Sequence, residues 1–142
     1  MNIVVAISVL LMVLGLTVLL ARPGSRKCPE GSGLYPECLY VVSVDGNCVR
    51  VVHPDKTVTF VVIRDLSEIV IETNDSGPLG TDVFYHLNTA DPAASCSFPL
   101  GATGENRVMA RLAGLPGYDK GAHTQAMRST SNKQFVVWRT TA

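Results

Sequence analysis

Four cysteines, three histidines and a late group of arginines are the side chains with chemistry to offer in this 142-residue chain. Cys28, Cys38 and Cys48 stand ten residues apart, and Cys96 lies far downstream. That spacing is too wide for a Cys-x-x-Cys metal or redox pair, and His53, His86 and His123 are distant from one another and from the cysteines, so no zinc-ligand motif forms. The even count allows two disulfides outside the cytoplasm, with Cys28 paired to Cys38 or Cys48. In a reducing compartment the same residues are small buried hydrophobes or spectators. Cys48 or Cys96 as a nucleophile would need an adjacent base, and no motif supplies one. The Gly-x-Ser-x-Gly elbow, the phosphate loop, the dinucleotide fingerprint and His-Glu-x-x-His are all missing. The loop from Asp75 to Asp82 is acidic and glycine-rich, but it lacks the alternating oxygen ligands and closing Glu of a calcium loop. The expectation is therefore no catalytic, cofactor or metal site, and a protein that is not an enzyme.

Charge is the other resource. The chain carries 12 basic and 12 acidic residues, a balance that excludes a dedicated nucleic-acid binder. The distribution is uneven, however. Six acids (Asp65, Glu68, Glu72, Asp75, Asp82, Asp91) fall between Asp65 and Asp91 with no Lys or Arg, and six basic residues against Asp119 alone follow Asn106. Solvated faces that attract one another account for this pattern. The functional alternative is that Arg107, Arg111 and Arg128 meet anionic lipid or an acidic partner. Trp138, near the end, fills core or anchors a partner at a strand edge.

The elements that must position these groups begin with Ile3–Ala21, 19 residues without a charge, broken only by Ser8, Gly15 and Thr17. As a helix this stretch spans roughly 28 Å, the thickness of a bilayer's hydrocarbon core. It is apolar all round, unlike an amphipathic surface helix. A cleaved signal peptide would have a basic start, a shorter core and a small-x-small exit; here the start is Met-Asn and Leu19 stands where a small residue is wanted. An uncleaved anchor over 1–21 is the reading, with a secreted or periplasmic domain after cleavage as the alternative. Arg22, Arg26 and Lys27 follow the segment, and basic flanks stay cytoplasmic, so the globular part is expected in the cytoplasm, with the periplasm as the other choice. Residues 22–36, with their Pro and Gly turns, read as a linker.

Residues 37–142 read as a globular, β-rich domain. Cys38 to Val52 predicts a hairpin about Asp45-Gly46, pairing Val42 with Val49 and Tyr40 with Val51. Thr57–Ile63 is a strand with Val58, Phe60 and Val62 on one face, and Glu68–Thr73 is another with Ile69 and Ile71 inward. Val83–Leu87, Cys96–Phe98 and Lys133–Thr140 follow the same β-branched and aromatic logic. Gly104–Leu115, capped by Thr103, predicts a helix that buries Val108, Leu112 and Leu115; Asp119 caps a second helix to about Arg128 that turns Ala122, Ala126 and Met127 inward. The fold class is α+β: an N-terminal transmembrane helix, then a mainly antiparallel curved sheet or partial barrel of about seven strands with two short helices before the last one.

The step Ile63-Arg64-Asp65-Leu66 into Glu68-Ile69-Val70-Ile71 resembles the strand-to-strand step of bacterial pleckstrin-homology-like domains. The runs Asp82-Val83-Phe84-Tyr85, Leu115-Pro116-Gly117-Tyr118-Asp119 and Phe135-Val136-Val137-Trp138-Arg139 are similar to small uncharacterised bacterial membrane-anchored proteins, over nearly all of 38–139. The resemblance implies a β-rich fold and brings no known activity. It departs from the pleckstrin pattern by placing two short helices and another strand where one long capping helix belongs. The function expected is a single-pass membrane protein presenting an interaction or scaffold domain. The alternative is a module for anionic lipid or a small ligand.

Overall fold

The computed structural model describes residues 36–75 and 82–141. The expected anchor, bounded by Ile3 and Ala21, lies outside them, as do Cys28 and most of the Asp75–Asp82 loop. Among the described residues, no helix is long and apolar enough to cross a membrane.

A 3-10 turn at Pro36–Leu39 leads into β1 (Val41–Asp45), β2 (Cys48–Val52) and β3 (Val58–Val62), an antiparallel sheet in the order β1-β2-β3. The hairpin forms with a different turn from the one expected. Gly46 and Asn47 are its central residues, and Gly46 takes φ +55°, which its missing Cβ permits at no steric cost. Val42 therefore opposes Val51 and Val44 opposes Val49. The shift is two residues, one full strand period, so the same side chains still face inward.

Strand β3 carries Val58, Phe60 and Val62 on one face as expected, and the sheet decides which face is buried. Pairing with β2 sets Val61 opposite Val49, on the buried side, and turns Val58, Phe60 and Val62 outward. Val61 is buried, while Phe60 is 63% exposed.

A 3-10 turn at Ile63–Asp65 then breaks the ladder. The Ile63 amide donates to the Asn47 carbonyl, which ends pairing with β2 and sends the chain into a second sheet. That sheet contains β4 (Leu66–Thr73), β5 (Val83–Thr89), β6 (Cys96–Pro99) and β7 (Lys133–Arg139), in the order β6-β5-β4-β7. The molecule is thus α+β with seven antiparallel strands in two open sheets, where one continuous curved sheet or partial barrel was expected.

Two helices lie between β6 and β7: α1 (Glu105–Leu112) and α2 (Lys120–Arg128). α1 packs on β1, and α2 on β7 and β4. Helix α1 buries Val108 and Leu112 as its spacing predicts, and Leu115 packs partly buried beyond its end. Its cap is Gly104 at φ +91°, not Thr103. Thr103 instead bridges β1: its amide donates to the Tyr40 carbonyl and its hydroxyl to the Cys38 carbonyl. A Cβ on Gly104 would collide with the Val42 carbonyl oxygen, so this close approach of helix start and strand requires glycine. In α2 the Asp119 carboxylate accepts from the Ala122 amide at 2.9 Å, as predicted, and Ala126 is buried. Met127 is 37% exposed, because it sits about a quarter-turn off the Ala122/Ala126 stripe.

The inner faces of the two sheets form one core. Val42, Val49, Val51 and Val61 come from the first sheet, and Ile69, Ile71, Tyr85, Leu87 and Phe98 from the second. Strand β6 makes the junction, touching both β2 and β3. Its Phe98 is fully buried against the Tyr85 ring, with centroids 5.3 Å apart. Phe98→Ala should cost about 3–5 kcal/mol through lost burial and a residual cavity, whereas Phe60→Ala should stay within about 0.5 kcal/mol of wild type. Urea unfolding of the two variants checks the contrast.

Candidate functional site

The richest polar arrangement lies on the outer face of the second sheet. Period-two alternation turns Glu68, Val70 and Glu72 of β4, and Phe84, His86 and Asn88 of β5, away from the core. Ser97 of β6 stands directly opposite His86, and Gln134 of β7 directly opposite Glu72. Four strands are thereby crossed by one line of contacts. The Ser97 hydroxyl and His86 Nδ1 lie 2.8 Å apart, His86 Nε2 lies 3.5 Å from Glu72 Oε2, and Gln134 Nε2 donates to the same Glu72 oxygen at 2.8 Å. The Glu72–His86 contact is diagonal across the ladder, within reach of long side chains. His86 Nε2 is buried without a hydrogen bond of good geometry, which leaves Glu72 as its electrostatic neighbour. The Phe84 ring lies nearly parallel to the imidazole, at 20°. A second cross-strand group sits beside this line. Glu68 accepts from Arg139 at 2.9 Å and from Asn88 at 3.2 Å, and these bonds, Arg139 first, hold its carboxyl below the usual range.

In chemical terms, Ser97–His86–Glu72 is a hydroxyl, a base and a carboxylate in contact, the constituents of an activated nucleophile. The line runs over an open sheet face. A surface depression of about 490 Å³, lined by Glu72, Thr73, Asn74, Asn132, Lys133 and Gln134, reaches Glu72 and stops short of His86 and Ser97. What the geometry secures is a cross-strand polar ladder that fixes the register of four strands.

The sequence reading missed this line because the histidines were weighed by their distance along the chain. The signal was present in the alternation: two antiparallel strands with Ile69/Ile71 and Tyr85/Leu87 inward must turn Glu72 and His86 outward together.

A second polar group lies at the inner side, near the helices. The Tyr118 hydroxyl and His123 Nδ1 are 2.7 Å apart, and the His123 ring lies 6.4 Å from that of Tyr85. Burial, then the charge and hydrogen bond of Glu105, raises the Tyr85 phenol far above its ordinary range. Burial also pushes Tyr118 up to about 12. Burial depresses the His123 imidazole, with Glu105 opposing part of the effect. Neutral phenols and a neutral imidazole are what a partly desolvated packing site selects.

The structure separates the arginines that sequence grouped. Arg107 and Arg111 lie one turn apart on exposed positions of α1, and Arg128 ends α2, which packs on different strands. None of the three makes an ion pair among the described residues. Trp138 is half-buried, and its indole N–H donates to the Pro116 carbonyl at 2.9 Å, tying β7 to the loop between the helices. Cys38 is disulfide-bonded, while Cys48 and Cys96 are free thiols. Burial, with Cys48 nearby as a lesser cause, pushes the Cys96 thiol up to about 12, which keeps it protonated and inert. Among the described residues, no group of three or more His, Cys, Asp or Glu could hold a metal ion.

Comparison with family models, curated proteins and solved structures finds no match.

The His123 depression has a definite pH consequence. Below the ordinary value of 6.5 the unfolded chain takes up a proton that the native imidazole declines, so stability falls as pH drops from 6.5 towards the lower native value. His123→Gln should flatten that part of a melting temperature-against-pH curve, and an unchanged slope would exclude His123 as its source.

Proposed function

We propose that this chain is a single-pass membrane protein whose Ile3–Ala21 segment tethers a small α+β interaction domain. The observation that carries the reading is the uncharged 19-residue stretch, long enough for the hydrocarbon core and followed by a domain with its own buried core. Arg107 and Arg111, exposed one turn apart and unpaired among the described residues, supply the basic contact surface for an acidic partner. Six antiparallel strands followed by two helices support the pleckstrin-homology-like part of the reading, and β7 after the helices remains its departure.

The disulfide on Cys38 favours the side of the membrane where disulfides persist. It weighs for the periplasmic or extracellular alternative, against the orientation set by Arg22, Arg26 and Lys27.

Two measurements test the proposal. Full-length protein should sediment with membranes and resist alkaline extraction, and deletion of residues 2–21 should release the domain; recovery of the full chain as a soluble species overturns the tether. Thiol titration of the denatured, unreduced protein should find two of the four cysteines reactive, and all four after reduction. Four reactive thiols before reduction would return the domain to the reducing side.

A further inference from the structure

On the outer face of the β1-β2-β3 sheet, the row nearest Pro36–Leu39 is wholly apolar, and the rows beyond it mix polar and apolar side chains. Register places Val41, Val52 and Val58 in one row across the three strands, and Phe60 in the next row, beside Arg50. Val41 is 45%, Val58 44% and Phe60 63% exposed, and Leu39, just before β1, is 57% exposed. The far end of the same face carries Asp45 and Cys48 opposite Val62. Polarity therefore runs along the strands, and the apolar end is where the described chain begins, at Pro36–Leu39.

A sheet face of this kind pointing at water marks an interaction surface. What lies upstream names its occupant. The 14 residues 22–35 separate Ala21 from Pro36, and a fully extended connection of that length reaches at most about 50 Å. The linker sets a maximum distance and no minimum, so the apolar end of the sheet stays within about 50 Å of whatever surface holds Ile3–Ala21 and can reach it.

We propose that this end of the sheet, led by Phe60 with Val41, Val52 and Val58, dips into the interfacial zone of the bilayer, with Arg50 at the phosphate level. The proposal rests on the tether reading above. Apolar groups seated about 5–10 Å into the headgroup boundary gain burial there. Arg50 can lay its stem along Phe60 and keep its guanidinium among the phosphates. Each linker cation (Arg22, Arg26, Lys27) strengthens the approach to anionic lipid.

The test uses the full chain in vesicles of phosphatidylcholine and phosphatidylglycerol brominated high in the acyl chains. Trp138 is the single tryptophan, so Trp138→Phe gives a silent background. Into it are introduced Phe60→Trp or, on the outer face of the other sheet, Val136→Trp, a position 42% exposed. Emission at position 60 should fall by about half or more relative to unbrominated vesicles, as an indole at the headgroup boundary requires, and emission at position 136 should hold. Equal quenching at both positions, or none at 60 in protein that floats with the vesicles, overturns the seating and leaves the tether standing. Failure to float overturns both. A blue-shifted, unquenched indole at 60 with concentration-dependent cross-linking assigns the face to a second copy of the chain and overturns the bilayer as occupant.

Discussion

Burying the inner faces of two small sheets against each other is the constraint on which the rest of this molecule depends. Three strands with one apolar face cannot stand alone in water, and a four-stranded sheet with Ile69, Ile71, Tyr85 and Leu87 on one side faces the same difficulty. The solution is mutual burial, with Phe98 of β6 between them and α1 closing the side next to β1. This explains the short 3-10 break at Ile63–Asp65: the chain must leave the first sheet before it can supply the opposing one. It also explains why Thr103 bridges β1, since the start of α1 has to approach the strand closely enough for Gly104 to be needed.

Once the inner faces are sealed, the outer faces follow opposite logics. The second sheet turns outward a ladder of polar groups whose bonds run across the strands, from Gln134 through Glu72 and His86 to Ser97. Thr73, the buried polar residue at the end of β4, is satisfied by the Ser131 carbonyl at 2.7 Å, which draws the segment before β7 onto the sheet edge. The first sheet turns outward valines and a phenylalanine with no such ladder. The ladder of the second sheet is bonded at Gln134–Glu72 and Ser97–His86, and His86 Nε2 has Glu72 as its electrostatic neighbour. The apolar end of the first sheet's outer face lies next to Pro36–Leu39, where the described chain begins.

The two candidate roles for side-chain chemistry are thereby ordered. Ser97, His86 and Glu72 sit in contact on an open sheet, where their bonds hold register. Tyr118, in the loop between the helices, and His123, on α2, are in contact with each other, and burial raises the Tyr118 phenol and lowers the His123 imidazole.

Much of the architecture was legible in the residues alone. The identity of the seven strands and two helices, the inward sets Ile69/Ile71 and Val108/Leu112, and the Asp119 cap all follow from periodicity and capping chemistry, which act over a few residues. The uncharged length of Ile3–Ala21 is likewise a property of the chain itself. Tertiary structure decided what local pattern leaves open. It set which pair of residues turns the first hairpin and which face of β3 is buried, because an alternating strand with Val58, Phe60 and Val62 on one side and Val61 on the other is settled only by its partner's register. It split the strands into two sheets, and it brought Glu72, His86 and Ser97 together. Those three are separated by long stretches of sequence, and only strand pairing converts such separations into hydrogen-bond distances.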